Sequence, residues 1–321
     1  MKPLLIVVLL LLPLGGLIIF KFTKQNASAP GSQRLNTSST PDPPGNEDAQ
    51  LSEKLKELGE TSGGQVSVAV LDVGTGRLAV VDGANELPLF SVFKLPLAIT
   101  VLKNIEDGRL KLDEKVHIGP DELMVGTRVN SQRWQKPVDL TIKELLELSI
   151  IESDNTSSEK LLRLVGGPQA VTKLMRSFDL QQIDIRTTIK DYFATRTNPN
   201  TGSALGLVKL LSRLQRGELL QPSQTELLLG MMERAKTGLH RLRGNLPPGV
   251  RVADKTGSGD LNPKTNAAIS TNDVGLITLP NARGHLAIAV LLHDSTLDDK
   301  QQEKLIADLA RVAFDAYSSI P

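Results

Sequence analysis

The chain has 321 residues, 40% hydrophobic and 23% charged, which excludes wholesale disorder and suffices for one large core or two smaller ones. A formal net charge of +1, with no long run of like charge, gives no case for nucleic acid as a partner. The absence of cysteine excludes disulfides, thiolate nucleophiles, Cys-based zinc sites and a lipidated cysteine anchor. The four histidines (His117, His240, His285, His293) are scattered singly, a pattern of surface or core residues rather than of a metal site.

After Lys2, residues Pro3 to Phe20 carry no charge and are rich in Leu, Ile and Val. This is the pattern of a secretory signal, and it is just long enough to compete as a membrane span, although Pro13, Gly15 and Gly16 weaken the second reading. Ala27–Ala29 has the small-x-small form of a cleavage site, with an unfavourable Pro30 after it. Residues 1–24 are therefore expected to be a signal peptide or membrane anchor. The protein is expected to be exported, periplasmic or otherwise extracytoplasmic, either released or tethered through residues 3–20. Residues 25–49 have the Ser, Thr, Asn, Pro and Gly content of a flexible linker, so the folded domain is expected over 50–319.

Within that domain Leu51–Leu58 has helical spacing, "QVSVAVLDV" alternates as a strand, and "RLAVV" follows a Gly74–Gly76 turn as its hairpin partner. From Ser91 to about Met232 nearly every segment reads as helix: around Lys94–Ile105, Thr141–Ile151, Thr156–Leu164, Gln169–Phe178, Ala204–Leu214 and Ser223–Met232. Strands return near Val250–Lys255, Val274–Leu279 and Leu286–Leu292, and a helix over Lys300–Tyr317 closes the chain. The order predicts an α+β fold. One antiparallel sheet is built from both chain ends and covered by the terminal helices, and an inserted helical subdomain forms a cleft where it meets the sheet. No oligomer signal stands out, so a monomer is the default.

Three short motifs carry chemistry. Ser91-Val92-Phe93-Lys94 is S-x-x-K in an otherwise apolar stretch. Lys94 is either a lysine snorkelling from an amphipathic helix or a base beside the Ser91 hydroxyl. On a helix starting at Ser91 the two would share a face. The free N–H groups of the first turn would suit an oxyanion, and burial would favour the neutral amine. Ser153-Asp154-Asn155 lies between two helical segments. It reads either as capping residues, with Thr156 and Glu159 as a capping box, or as a loop directing a hydroxyl and a carboxamide into the cleft. Lys255-Thr256-Gly257 ends a strand, either as a solvated strand end or as a ligand-binding edge where Gly257 allows close approach.

Together, in this order, the motifs resemble those of class A serine β-lactamases within the β-lactamase and penicillin-binding superfamily. The resemblance covers about Leu51–Tyr317 and includes "SVFKLPLA", "ESDNTSSEKLLRLVGGP", "LRGNLPPGVRVADKTGSG" and "STNDVGLITLP". It implies that Ser91 is the nucleophile, that Lys94 takes its proton, and that Ser153 relays a proton to the departing lactam nitrogen near the charge of Lys255. It further implies that Asn155 binds the substrate's side-chain amide, that Lys255 and Thr256 bind its carboxylate, and that the N–H groups of Ser91 and Ser258 form the oxyanion hole beside Gly257. The implied partner is a small β-lactam or a peptidoglycan-like acyl compound, and no metal or organic cofactor is implied.

Two features depart from the family pattern. The loop "DLQQIDIRTTIKDYFATRTNPNTGS" contains no glutamate, although a glutamate there activates the deacylating water in the family. Thr188 or Ile189 falls at its place. Asp191 is a candidate substitute whose other reading is a solvated loop residue, and Asp184 is a weaker one. Arg128 stands where an aromatic residue usually forms the cleft wall, with Trp134 nearby. The expected function is therefore a serine β-lactamase with slow deacylation. The alternatives are a D-alanyl-D-alanine peptidase or a domain that binds β-lactams without turnover.

Overall fold

The computed structural model describes residues 47–124, 132–262 and 268–318. Helix α1 (Ala49–Gly59) is capped by Asp48, whose carboxylate accepts from the Leu51 amide at 3.0 Å, satisfying a donor that has no partner within the helix. Strands β1 (Gln65–Asp72) and β2 (Leu78–Val81) form the expected hairpin. The segment β3 (Glu86–Pro88) leads into a 3-10 turn, Phe90–Phe93, and then α2 (Lys94–Glu106).

The α-helix thus starts at Lys94, not at Ser91. Pro96 lacks the N–H that an α-helix starting at Ser91 would direct to Val92, and the tighter 3-10 form needs no such bond. Strands β4 (Lys115–Ile118) and β5 (Val138–Thr141) pair before α3 (Ile142–Ile151), α4 (Asn155–Leu164) and α5 (Pro168–Ser177). Next come β6 (Ile183–Asp184), α6 (Ile189–Thr195), β7 (Thr201–Ser203), α7 (Ala204–Gln215) and α8 (Pro222–Glu233). The chain ends with β8 (Val252–Ser258), β9 (Ser270–Thr278), β10 (His285–His293) and α9 (Asp299–Ser318).

The main sheet is antiparallel with strand order β2-β1-β10-β9-β8, which joins the two chain ends as expected. Both of its faces are covered, and the two-residue period of β10 shows how. Leu286, Ile288, Val290 and Leu292 enter the core beneath α1 and α9 with Leu51, Leu55 and Phe314. Ala287, Ala289 and Leu291 point the other way, into the core shared with α2, α3 and α7. The small alanines let α7 lie close to the sheet, and each buried Leu or Ile stabilises the domain by roughly 1.5–3 kcal/mol.

The insert is less uniformly helical than its sequence suggests. It contains the β4-β5 pair and the β3-β7-β6 sheet, whose strands of two to four residues are too short to carry a period. The capping expectation at α4 is corrected. Asp154 is the N-cap, accepting from Ser157 N at 2.7 Å, whereas Thr156 Oγ1 accepts from Met124 N and Glu159 turns toward α6. The signal or anchor segment (1–24), all of the linker except Glu47–Ala49, and Arg128 lie outside the described residues.

Strand β8 is a sheet edge, and the turn carrying Ser91 lies against it. A Cβ at Gly257 would stand 2.4 Å from Leu89 O and 3.1 Å from Val92 N, so only glycine permits this approach. Asn272 on β9 donates to Pro88 O at 2.8 Å and to Leu89 O at 3.3 Å, fixing the turn from the sheet side.

Candidate active site

Two fully buried lysines meet at one serine hydroxyl. Lys94 Nζ donates to Ser153 O at 2.6 Å, to Asn155 Oδ1 at 2.7 Å and to Ser153 Oγ at 3.3 Å. Lys255 donates to the same Ser153 Oγ at 3.0 Å and to Thr256 O at 2.9 Å. Both side chains have 0% relative exposure, so the snorkelling reading of Lys94 fails. Burial holds the Lys94 pKa well below the ordinary lysine range; the nearby Lys255 charge adds to this and Asp154 opposes it. Burial likewise lowers Lys255, to about 8, against the raising effect of Asp254 and Asp273, with Arg241 acting in the same direction as burial.

Ser153 has a left-handed backbone, φ 56°, which lets the α3–α4 junction turn its hydroxyl and carbonyl toward the lysines. Phe90, immediately before Ser91, also has a positive φ, 45°, an uncommon conformation for a bulky residue and one found at constrained functional turns. Ser91 lines a cleft with Asn155, Thr188 and Ser258. Among the described residues, the bonds of Lys94 run to Ser153 and Asn155 and not to the Ser91 hydroxyl, three residues away. The i, i+3 reach expected from the spacing is therefore not expressed as a hydrogen bond.

The three motifs thus meet at one place on an α+β fold of this topology, as the sequence predicts. A family comparison gives the same result: residues 50–317 match the model of the "Beta-lactamase enzyme family". The chain belongs to this family. The β-lactamase VEB-1 of Pseudomonas aeruginosa is 29% identical over 272 residues, covering 83% of this chain and 90% of that protein. A solved β-lactamase from Chitinophaga pinensis is 32% identical with a TM-score of 0.79, over 84% of this chain and 99% of that one. A representative class A β-lactamase from Bacteroides cellulosilyticus is 26% identical with the same TM-score, over 84% and 98% of the two chains. Fold and family together make this a class A serine β-lactamase.

Around the end of β8 the β-lactamase has contacts that the motifs do not reveal. Thr237 Oγ1 lies 2.6 Å from Thr256 Oγ1, brought there because Gly238 (φ 63°) approaches so closely that a Cβ would stand 2.3 Å from Thr256 Cγ2. Arg241 is 8% exposed and donates to Gly257 O, to Asn272 O and, at 2.7 Å, to Ser258 Oγ, with Glu303 behind it. Lys255 and Arg241 thus place two buried cations beside the paired threonine hydroxyls at the end of β8. Nothing local in "TGLHR" marks Arg241, because its role depends on a long-range turn toward β8.

The remaining loop candidates are distributed as follows. Thr188 lines the cleft and caps α6, accepting from Asp191 N at 3.0 Å and donating to Asp191 Oδ2 at 2.9 Å. Asp191 is exposed and is not among the lining residues. Asp184 bonds Arg186 and Thr172 outside the cleft, and Trp134, 6% exposed, packs in the core. Among the described lining residues the one carboxylate is Asp260, already bonded to Tyr192 and Arg196. Behind the loop, the buried Glu159 accepts from Ile189 N at 2.9 Å and Lys190 N at 3.4 Å, anchoring the start of α6.

Proposed function

We propose that this β-lactamase opens β-lactams through an acyl-enzyme on Ser91 and releases the product slowly. Ser91 Oγ attacks the lactam carbonyl while its proton passes to the neutral Lys94 amine, directly or through water. The C–N bond then breaks, and Ser153 Oγ gives its proton to the lactam nitrogen and is reprotonated from the adjacent ammonium groups. The N–H groups of Ser91 and Ser258 take up the developing oxyanion charge. Asn155 binds the side-chain amide, and Lys255 and Thr256 bind the carboxylate. The observation that carries this reading is the single Ser153 hydroxyl held between two buried lysines, one from α2 and one from β8.

Slow release rests on the loop. Without a positioned base the hydrolytic water loses assistance worth about 10²–10⁴ in rate. Mixing the protein with a chromogenic cephalosporin is expected to give a rapid phase of one ring opened per chain, followed by a much slower steady rate. A trace with no absorbance change contradicts the proposal. The pKa of Lys255 adds a pH dependence. As the pH rises through about 8 the ammonium loses its charge, so KM for a carboxylate-bearing β-lactam is expected to increase. An ester of the same compound, which has no anion to attract, is expected to show no such rise.

The uncharged run Pro3–Phe20 supports export, with residues 1–24 as signal or anchor and 25–49 as the linker to the catalytic domain.

A further inference from the structure

A second cavity, of about 450 Å³, shares no described lining residue with the Ser91 cleft. One wall is a face of α5, where Gln169, Thr172, Lys173 and Arg176 recur at spacings of three and four residues. The opposite wall is the end of β6 and the chain just after it, with Asp184 and Arg186. The two walls are tied together. The buried Thr172 hydroxyl accepts from Ile185 N at 2.7 Å and donates to Ile185 O at 2.9 Å.

The charge in this cavity is unbalanced, with three cations against one carboxylate. Asp184, offered by the sequence as a weak substitute for the missing base, is held instead by Arg186, whose Nε donates to Oδ2 at 2.8 Å. Arg186 Nη2 also donates to Glu86 at 3.2 Å. Arg176 stands 3.6 Å from Asp184 Oδ1, beyond hydrogen-bond distance, and is 55% exposed, so most of its donors are uncommitted. Lys173 has no carboxylate partner among the described residues. Lys173 and Arg176, three apart on one helix face, repel each other, and an anion between them and Arg186 relieves that repulsion.

We propose that this cavity is a binding site for a diphosphate-type anion, held by Lys173, Arg176 and Arg186. The open guanidinium fork of Arg176 suits a pair of phosphate oxygens, and Lys173 adds a point charge. Gln169 supplies a neutral amide at the same wall. The volume falls within the range of about 300–1,000 Å³ typical of small-molecule sites, which leaves room for two linked phosphates rather than one. Because Thr172 fixes the walls to each other, little ordering opposes binding. The site is independent of the role of Ser91. It lies next to the loop, however: Arg186 N and Thr187 N both donate to Asn200 Oδ1, at 2.8 and 3.0 Å, and Thr187 and Asn200 line the catalytic cleft.

The test is calorimetric titration of the full chain with inorganic pyrophosphate at low ionic strength. The expected result is one pyrophosphate per chain, bound more weakly as salt is added and equally well by Ser91→Ala. The double variant Lys173→Gln/Arg176→Gln is expected to lose about 10-fold or more in affinity, the effect of removing charge-assisted hydrogen bonds. Both side chains are exposed and outside the catalytic cleft, so its melting temperature and Ser91 acylation should be unchanged. Lys173→Gln alone, expected to weaken binding by a smaller factor, serves if the double variant folds poorly. Sulfate is expected to bind more weakly than pyrophosphate. The same chemistry occurs on a free diphosphate and on a lipid headgroup. Sedimentation with phosphatidylcholine vesicles carrying a long-chain alkyl diphosphate, lost in the double variant, would identify the lipid form, and pyrophosphate binding without such sedimentation would identify the free anion. No binding at millimolar pyrophosphate, undiminished binding in the folded variants, or equal affinity for sulfate overturns the proposal.

Discussion

Replacing Thr188 by glutamate is expected to shorten the life of the acyl-enzyme by about 10²-fold or more, the lower end of what a positioned general base contributes. Thr188 lines the same cleft as Ser91 and Asn155, and is one of the two positions, with Ile189, at which the resemblance puts the glutamate. Its hydroxyl is committed to capping α6, so it offers the water no basic group. Thr188→Glu removes that cap at a cost of about 0.5–2 kcal/mol, partly offset by a negative charge near the helix N-terminus. The loop is held independently by Glu159, which bonds the Ile189 and Lys190 amides, and is expected to survive the change. Thr188→Gln has a similar shape but no base, and is expected to leave the lifetime long. Decay of the adduct, followed by intact mass after rapid removal of free β-lactam, measures both variants. Equal lifetimes for the glutamate and glutamine variants would show that the missing base does not limit release.

Lys94→Ala is expected to slow acylation by about 10³-fold, within the range for loss of a general base. The substitution also leaves Ser153 O and Asn155 Oδ1 without their Lys94 Nζ donor in a buried site. Lost donors of this kind cost about 1–3 kcal/mol each, so the melting temperature should fall as well. The two effects separate. Lys94→Met fills the space without a base and recovers packing, so it should regain part of the stability and none of the rate. Recovery of acylation in the methionine variant would remove Lys94 from the proton path.

The long elements were legible in the sequence because burial imposes a period on them. Helices α2, α3, α4 and α7 and strands β9 and β10 fall within a few residues of expectation, and the two-faced burial of β10 explains its unbroken apolar run. The short strands β3 to β7 were hidden because two to four residues cannot display alternation against a helical background. Helix α6 was hidden in a polar loop, since the Thr188 and Asp191 pairing that starts it is followed by only seven helical residues.

At the site, Ser91, Lys94, Ser153, Asn155 and Lys255 were legible because each sits in a local motif. Arg241 and Thr237 were not, since their roles come from how Gly238 folds against Thr256. Asp260 and Tyr192 lie 68 positions apart, and only the fold brings them together.

The central claim is that one side chain, Ser91, becomes acylated and stays so. Quenching the protein soon after addition of a penicillin and mapping the acyl group by peptide mass spectrometry tests it directly. The expected result is one acyl group per chain on the peptide containing Ser91, still present after free β-lactam has been removed, and none in Ser91→Ala. An acyl group on another residue, or its retention in Ser91→Ala, would contradict the account.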